Sequence, residues 1–273
     1  MNTVGVKGDK RGSRKFTSDA AYPWIFLTLF IVSWQIVSVV FNIPTYILPS
    51  PLEIVLKGIE IWRTLATSVL VTLKSVLSGF VVGSAVGMIF GFCMVYYPLV
   101  RKIFLPYIVA FQTMPKIGLA PLFIIWFGFG ILTNVLIVSA LSFFPVLVNF
   151  VTGLDQFNEN EDRLMASYNA SKNQSFFHVR LFRALPFLFT GLQLGIILSI
   201  TGAIVAEFIA GDAGLGYLTI LANNNLETEM MFCALILLGL LGFALYHMVT
   251  FFKGILMPWT TKTETLTTKD ITI

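Results

Sequence analysis

The sequence predicts an all-α integral membrane protein with about six transmembrane helices. Of its 273 residues 56% are hydrophobic and 12% are charged, whereas a soluble domain has about 25% charged residues. The mean hydropathy is +0.84, and 26 Phe residues stand beside only 14 Asp and Glu. This much apolar surface exceeds what one soluble core of this length would bury, so lipid must be the solvent for most of the chain.

Six apolar runs are long enough to cross a bilayer, which needs about 20 mostly apolar residues per helix. No small-residue cleavage site follows the first run, so we expect that run to be a retained helix. The membrane domain is therefore predicted over residues 19–258, with disordered cytoplasmic tails at 1–18 and 259–273. The runs lie at residues 22–41, 70–96, 103–127, 131–152, 185–208 and 229–252. The second and third are long enough to be tilted, or to include an interfacial turn at Pro98 or Pro115.

The distribution of Lys and Arg predicts the orientation, because cytoplasmic connections carry an excess of these residues. Fourteen of the 18 lie in the two tails and in two of the connections, and the opposite connections contain only Lys57 and Arg63. Both termini and the 153–184 connection are therefore predicted to be cytoplasmic. The fourteen are Lys7, Lys10, Arg11, Arg14, Lys15, Arg101, Lys102, Arg163, Lys172, Arg180, Arg183, Lys253, Lys262 and Lys269.

The segment 43–51 contains three prolines, which remove backbone donors and restrict the residues before them. It cannot be a regular helix. Ser50 is a favourable N-cap and Pro51 suits the first helical position. We therefore expect a short helix from Pro51 to Trp62, lying at the outer membrane interface.

No residue pattern indicates catalysis or a cofactor. The sequence has no Ser/His/Asp set, no His-Glu-x-x-His pair and no Gly-x-x-x-x-Gly-Lys-Ser/Thr loop. Cys93 and Cys233 both lie in apolar runs, where a thiol behaves as a small hydrophobic group. We expect no catalytic residue, no metal site and no cofactor on this chain. The scattered basic residues, without an aromatic platform, also argue against nucleic-acid binding.

Two features of the apolar runs have both a structural and a functional interpretation. Gly79, Gly83, Gly87 and Gly91 share one helix face and allow close helix packing, within the subunit or at a dimer interface or pathway. Lys116 and Glu207 are charges that would each cost about 2.5–3.5 kcal/mol at a bilayer centre. They are either pathway charges or structural groups, with Glu207 at the outer boundary and Lys116 paired internally or extended to the interface.

The 153–184 connection is long and mixes polar with apolar residues. Leu164, Tyr168 and residues 170–177 fit a short amphipathic helix, a turn at Asn169 and a second helix. A helical protrusion of this kind suits docking into the groove of a partner protein. A solvated loop between two membrane helices fits the same spacing.

Four ordered blocks carry a resemblance to a known family, and they extend over residues 44–258. They are 47–51, 114–130, the Ala184-Leu185-Pro186 end of the connection, and 205–208 followed by 214–217. With these blocks the chain resembles the permeases of bacterial binding-protein-dependent ABC importers. The branch is the one associated with nitrate, sulfonate, taurine, bicarbonate and thiamine-precursor uptake.

The resemblance implies a type I importer bundle in the bacterial cytoplasmic membrane, with a cytoplasmic coupling helix that docks on an ATPase. Partners would be an ABC ATPase carrying ATP and magnesium, a periplasmic or lipid-anchored substrate-binding protein, and a second permease in a homodimer or heterodimer. By the same resemblance the ATPase-coupling residues are Leu164, Ala166, Ser167, Tyr168, Asn169, Ala170, Ser171, Leu185 and Pro186.

The chain departs from the family pattern at three positions in this connection. Asn169 replaces the usual loop glycine, but Asn can adopt the left-handed backbone that such a turn needs. Arg163 stands where the family has an acidic residue, and Phe182 replaces a proline. The runner-up hypothesis is a secondary transporter or channel without an ATPase, in which Lys116 and Glu207 handle charge. It lacks the broken-helix inverted repeat expected of such proteins.

Overall fold

The computed structural model describes residues 22–156 and 159–259, and every regular element in this part of the chain is helical. The predicted tails lie outside the described residues, except for Trp259. The elements are α1 (Tyr22–Val40), α2 (Pro51–Glu60), α3 (Trp62–Tyr96), α4 (Pro98–Thr113), a 3-10 turn (Lys116–Leu119), α5 (Ala120–Phe127), α6 (Ile131–Asp155), α7 (Glu159–Ser167), α8 (Lys172–Ser175), a π turn (Phe176–Arg180), α9 (Leu181–Ala210), α10 (Leu215–Asn224) and α11 (Thr228–Leu256).

Five helices of the described chain are long and apolar enough to cross a membrane, and a sixth crossing is possible if a bent pair forms one span. The prediction of about six spans is therefore confirmed. Two boundaries were wrong. The second span begins at Trp62 rather than at residue 70, and the fifth extends from Asn173 to Ala210, through α8, the π turn and α9, rather than over 185–208.

The predicted span 103–127 is not one helix. It divides into α4 and the Lys116–Phe127 segment, which are bent by 96° at the break. Met114 has an extended backbone (φ −73°, ψ 142°) just before Pro115. Proline disfavours helical geometry in the residue before it and has no N–H to donate, so the helix ends here despite the continuous apolar composition.

Helix α6 forms the centre of the bundle, between α3 and α9. A methyl group added to Gly83 of α3 would overlap Ser142 of α6, and one added to Gly191 of α9 would lie 2.9 Å from the Pro145 carbonyl oxygen of α6. Only hydrogen side chains at these positions permit such close approach of the helices. The Ser139 hydroxyl adds a hydrogen bond of 3.0 Å to the Gly79 carbonyl oxygen.

Two helices lie at the edge of the bundle. The predicted short helix is present as α2, which ends at Glu60 rather than Trp62; Ser50 and Glu53 form a capping box and Pro51 takes the first position. Helix α1 has only Ser38 buried, and its Trp34 ring contacts the Phe232 ring, 5.5 Å between centroids. Most of its surface is therefore open to lipid or to another protein.

Candidate functional site

The predicted helix-turn-helix is present in residues 159–180, and its turn has a defined geometry. Asn169 has the left-handed backbone (φ +54°). The Ala170 N–H donates to the Met165 carbonyl at 3.0 Å and the Asn169 N–H donates to the Ala166 carbonyl at 2.9 Å. These two bonds are the Schellman arrangement that ends a helix. Asn169 thus makes the left-handed turn that was expected at this position.

The second half of the segment begins with its own cap. The Ser171 N–H donates to the Gln174 side chain at 2.8 Å, and the Gln174 N–H donates to the Ser171 hydroxyl at 3.3 Å. This reciprocal pair is a capping box and fixes the start of α8 immediately after the turn. Both ends of the four-residue connection are therefore specified by local sequence.

The exposed face of α7 carries the side chains that a partner could contact. Tyr168 is 77% exposed and Leu164 is 56% exposed, and Ala166 and Ser167 are exposed as well. The helix is joined to the bundle by an ion pair between Glu161 and Arg183 at the start of α9. An ordered helix therefore presents a large aromatic side chain to its surroundings.

The structure does not bring all the predicted coupling residues together. Leu185 and Pro186 lie within α9, where Leu185 packs against the buried Phe176 and Ala184. The Pro186 carbonyl accepts a hydrogen bond of 3.1 Å from Thr190. These two residues belong to the bundle and not to the exposed face of α7.

The four glycines of α3 all lie against α6. Their nearest α6 neighbours advance in step along both helices, which shows that α3 and α6 run parallel. This geometry agrees with the interpretation that the four glycines serve close helix packing within the subunit. Added methyl groups would meet Val138 at Gly79, Ser142 at Gly83, Phe143 and Val146 at Gly87, and Phe150 at Gly91.

Glu207 lies inside the bundle and connects three elements. It is 1% exposed, and its Oε2 accepts hydrogen bonds from the Thr72 hydroxyl at 3.0 Å and from the Gly216 N–H at 2.7 Å. The Thr72 hydroxyl in turn accepts from the Leu215 N–H at 2.9 Å. We call this set of Thr72, Glu207, Leu215 and Gly216 the Glu207 latch. It ties the start of α10 to α9 and α3.

Glycines next to the latch make room for the carboxylate. Gly214 has a φ of +111°, and a methyl group there would overlap the Glu207 carboxylate; one at Gly216 would lie 2.9 Å from the Glu207 Cβ. Sequence reasoning identified Glu207 but missed Thr72 and the roles of these glycines. The run Gly211, Gly214 and Gly216 directly after Glu207 was the available signal.

Lys116 lies at the bend between α4 and α5 and is half-buried. Its ammonium group donates to the Gln112 carbonyl at 3.1 Å and lies 5.1 Å from the centre of the Phe144 ring. The described residues contain no ion pair between Lys116 and Glu207, and each has its own partners. The geometry therefore does not support the charge-handling pair of the secondary-transporter hypothesis.

Comparison with known proteins identifies the family. The chain matches the sequence-family model described as binding-protein-dependent transport system inner membrane component, over residues 79–262. The chain belongs to this family. As a member it is a transport permease, the membrane-spanning subunit of an ABC importer, and not itself an enzyme. The resemblance seen in the sequence is thereby confirmed.

Individual relatives of this permease cover nearly its whole length. It is 31% identical to the formylaminopyrimidine transport permease ThiX of Halalkalibacterium halodurans, over 91% of this chain and 99% of ThiX. It is 31% identical to the riboflavin transport permease RibX of Chloroflexus aurantiacus, over 86% and 88%. The taurine transport permease TauC of Escherichia coli is 27% identical, over 85% and 87%.

A solved structure supports the fold of the permease. The crystal structure of an amino acid ABC transporter with histidines matches with a TM-score of 0.55 and 15% identity, over 74% of this chain and 96% of that one. At this identity the likeness concerns the fold alone. It agrees with the predicted all-α importer bundle.

Proposed function

We propose that this permease moves a small polar or anionic nutrient into the cytoplasm by alternating access, driven by a partner ATPase. The substrate classes are sulfonate, nitrate, bicarbonate and thiamine precursor. The relatives named for taurine and formylaminopyrimidine support two of these classes. The relative named for riboflavin adds a larger heterocycle that a substrate screen should include.

The observation that carries the proposal is the exposed face of α7. Tyr168 directly follows α7, where the turn at Asn169 fixes the backbone, and its exposed aromatic side chain is available to a partner. Aromatic anchors of this kind dominate the binding energy of protein interfaces. We assign the ATPase contact to Leu164, Ala166, Ser167, Tyr168, Asn169, Ala170 and Ser171, with Leu185 and Pro186 holding the following helix in the bundle.

The assembly follows from this assignment. Two permeases, identical or similar, would enclose the path, with two ATPases carrying ATP and magnesium on the cytoplasmic side and a binding protein on the other. Arg101, Arg163, Arg180 and Arg183 lie at the same end of the bundle as α7. Their clustering supports a cytoplasmic position for this end and for both chain termini. The membrane domain is again assigned to residues 19–258.

Lys116 is the charge that we assign to the path. It lies at a bend of the α4–α5 region, where Trp126 is 64% exposed and Ile125 is 77% exposed. A cation inside the membrane is costly in lipid, and apolar groups so exposed also fit a protein surface. A second permease covering this region would place Lys116 where it could attract an anionic substrate.

Co-purification tests the ATPase contact. The tagged permease in detergent is compared with Tyr168→Asp and Asn169→Pro, with bound ATPase as the readout. We expect wild type to retain the ATPase and both variants to lose it, because one buries a charge in the interface and the other removes the left-handed turn. Asn169→Gly keeps the turn and Tyr46→Asp changes an exposed tyrosine in the α1–α2 connection, so both controls should retain the ATPase.

The outcomes are distinct. Loss of ATPase from the two test variants, with normal size-exclusion profiles, supports the docking face. Retention of ATPase by Tyr168→Asp contradicts it while leaving the permease assignment intact. If wild type binds no ATPase encoded near it, the proposed ATPase contact at α7 is contradicted.

A further inference from the structure

The last turns of α3 are joined to the segment that follows the turn at Asn169. The Phe92 ring stacks on the Tyr96 ring, with centroids 5.6 Å apart and planes at 12°. Phe176, which is 5% exposed, contacts Phe92 edge-on at 5.2 Å and Tyr96 at 6.2 Å. With Phe177 these rings form a group that we call the aromatic cluster. Offset and edge-on ring contacts favour particular orientations, so the cluster fixes the two segments relative to each other.

A directional hydrogen bond strengthens this connection. The Tyr96 hydroxyl donates to the Asn173 side-chain oxygen at 3.0 Å. Asn173 lies in α8, four residues after Asn169. Any displacement of the turn therefore acts on the end of α3 through one polar contact and several ring contacts.

The π turn at Phe176–Arg180 shapes the cluster. A π turn contains one more residue per turn than an α-helix and occurs mainly as short insertions, frequently at functional sites. Here the adjacent Phe176 and Phe177 both contact Phe92, Phe177 at a centroid distance of 6.4 Å. Both aromatic side chains thus reach the end of α3 from a helix that continues into the bundle as α9.

A cavity separates α7 from the aromatic cluster. Its volume is about 700 Å³, with Met165 and Ala166 of α7 on one side and Val95, Tyr96 and Phe176 on the other. The cavity is partly open to the surroundings, and it leaves space between α7 and the end of α3.

We propose that Phe92 and Tyr96 are positioning residues that transmit the displacement of α7 to α3, and that the cavity is the space into which α7 moves. This inference rests on the proposed ATPase contact at α7. Because the glycines of α3 lie directly against α6, a shift of α3 also moves the centre of the bundle. The 159–180 segment then acts on two membrane helices, on α9 through the chain itself and on α3 through the aromatic cluster.

The first test separates transmission from docking. Tyr96→Phe removes only the hydroxyl that bonds Asn173, and Tyr107→Phe removes an exposed hydroxyl from α4 as the control. Both variants are reconstituted in proteoliposomes with the ATPase and binding protein. We expect Tyr96→Phe to bind the ATPase and hydrolyse ATP normally but to move roughly three- to tenfold less substrate per ATP, the factor that one ordinary hydrogen bond provides.

An unchanged transport-to-ATP ratio in Tyr96→Phe overturns the proposal. So does a loss of transport that is matched by an equal loss of ATP hydrolysis, because a merely structural role lowers both together. Rescue is a further requirement: Asn173→Asp, which still accepts the Tyr96 hydrogen bond, should keep the wild-type ratio, whereas Asn173→Leu should resemble Tyr96→Phe.

The second test measures the movement itself. In a background with Cys93→Ser and Cys233→Ala, the pair Val95→Cys and Met165→Cys faces across the cavity. Under a mild oxidant we expect more disulfide when vanadate traps the ATPases closed than in the nucleotide-free complex. Equal yields in the two states show that α7 does not enter the cavity and contradict the proposal. These outcomes differ from failure of the proposed function, in which the wild-type permease would bind no ATPase.

Discussion

The Glu207 latch and the 159–180 segment use similar parts in opposite ways. Each places a residue of positive φ next to a helix end, Gly214 at +111° in the latch and Asn169 at +54° in the segment. Glu207 is 1% exposed, whereas Tyr168 is 77% exposed. The latch joins three elements in the interior, while α7 borders a cavity on one side and is open on the other.

The difference explains which residue type each turn contains. Asn169 lies in the left-handed region that asparagine tolerates, and its exposed surroundings leave room for a side chain. Gly214 has a φ that is available almost only to glycine, and the Glu207 carboxylate occupies the space of a side chain. The latch therefore requires glycine at position 214, whereas the turn of the segment accepts a residue with a side chain.

Gly214→Ala should disrupt the latch, and we expect it to lower the stability of the protein more than any other change described below. The φ of +111° alone costs about 1–3 kcal/mol with a side chain present, and overpacking against Glu207 adds about 1–3 kcal/mol. The apparent melting temperature in detergent and the yield of monodisperse protein measure the loss. Gly239→Ala, a glycine of α11 with no atom near the added methyl group, is the matched control and should leave both values unchanged. A Gly214→Ala protein as stable as that control contradicts the latch.

The comparison also shows how far the sequence could predict the structure. The features that were predicted in detail are local. Ser50 caps a helix that begins at the next residue, and the turn at Asn169 is closed by partners within five residues. Residue type and short spacing determine such contacts, so they can be read from the chain.

The features that were missed depend on distant contacts. Thr72 lies 135 positions before Glu207, and Tyr96 lies 77 before Asn173. Nothing in the local sequence indicates such a pairing. The break at Met114 was one of two open alternatives, a tilted span or an interfacial turn at Pro115, because the apolar run is continuous there and hydropathy reports the length of a run but not its direction.

Thr72→Val should lower the stability of the protein by less than Gly214→Ala. Valine has nearly the same shape but leaves the buried Leu215 N–H without its acceptor and removes one of the donors to Glu207. Such unsatisfied buried groups cost about 1–3 kcal/mol. Thermal unfolding in detergent provides the measurement.

The control for this change lies on the same helix. Thr67 is exposed and its hydroxyl bonds only to backbone carbonyls of its own helix, at 3.1 and 2.9 Å. Thr67→Val should stay within about 0.5 kcal/mol of wild type. Equal melting temperatures for the two variants would show that the Thr72 hydrogen bonds add nothing to the latch.

The smallest effect is expected for an ion pair at the same end of the bundle as α7. Arg101 at the start of α4 and Asp155 at the end of α6 form two parallel hydrogen bonds of 2.7 and 2.6 Å. Their side chains are 39% and 35% exposed, so water screens the attraction. A double-mutant cycle with Arg101→Ala and Asp155→Ala should give a coupling of about 0.2–1 kcal/mol.

The salt dependence of this coupling energy shows whether it arises from screened surface charges. If the coupling between Arg101 and Asp155 comes from screened charges near the surface, it should fall as ionic strength rises. The Lys57–Glu60 pair on α2, with charged atoms 3.3 Å apart, should show the same salt dependence. A coupling above about 2 kcal/mol that salt does not change would mean that this end of the bundle is locked as firmly as the Glu207 latch. The contrast between the latch and the end of the bundle that carries α7 would then be lost.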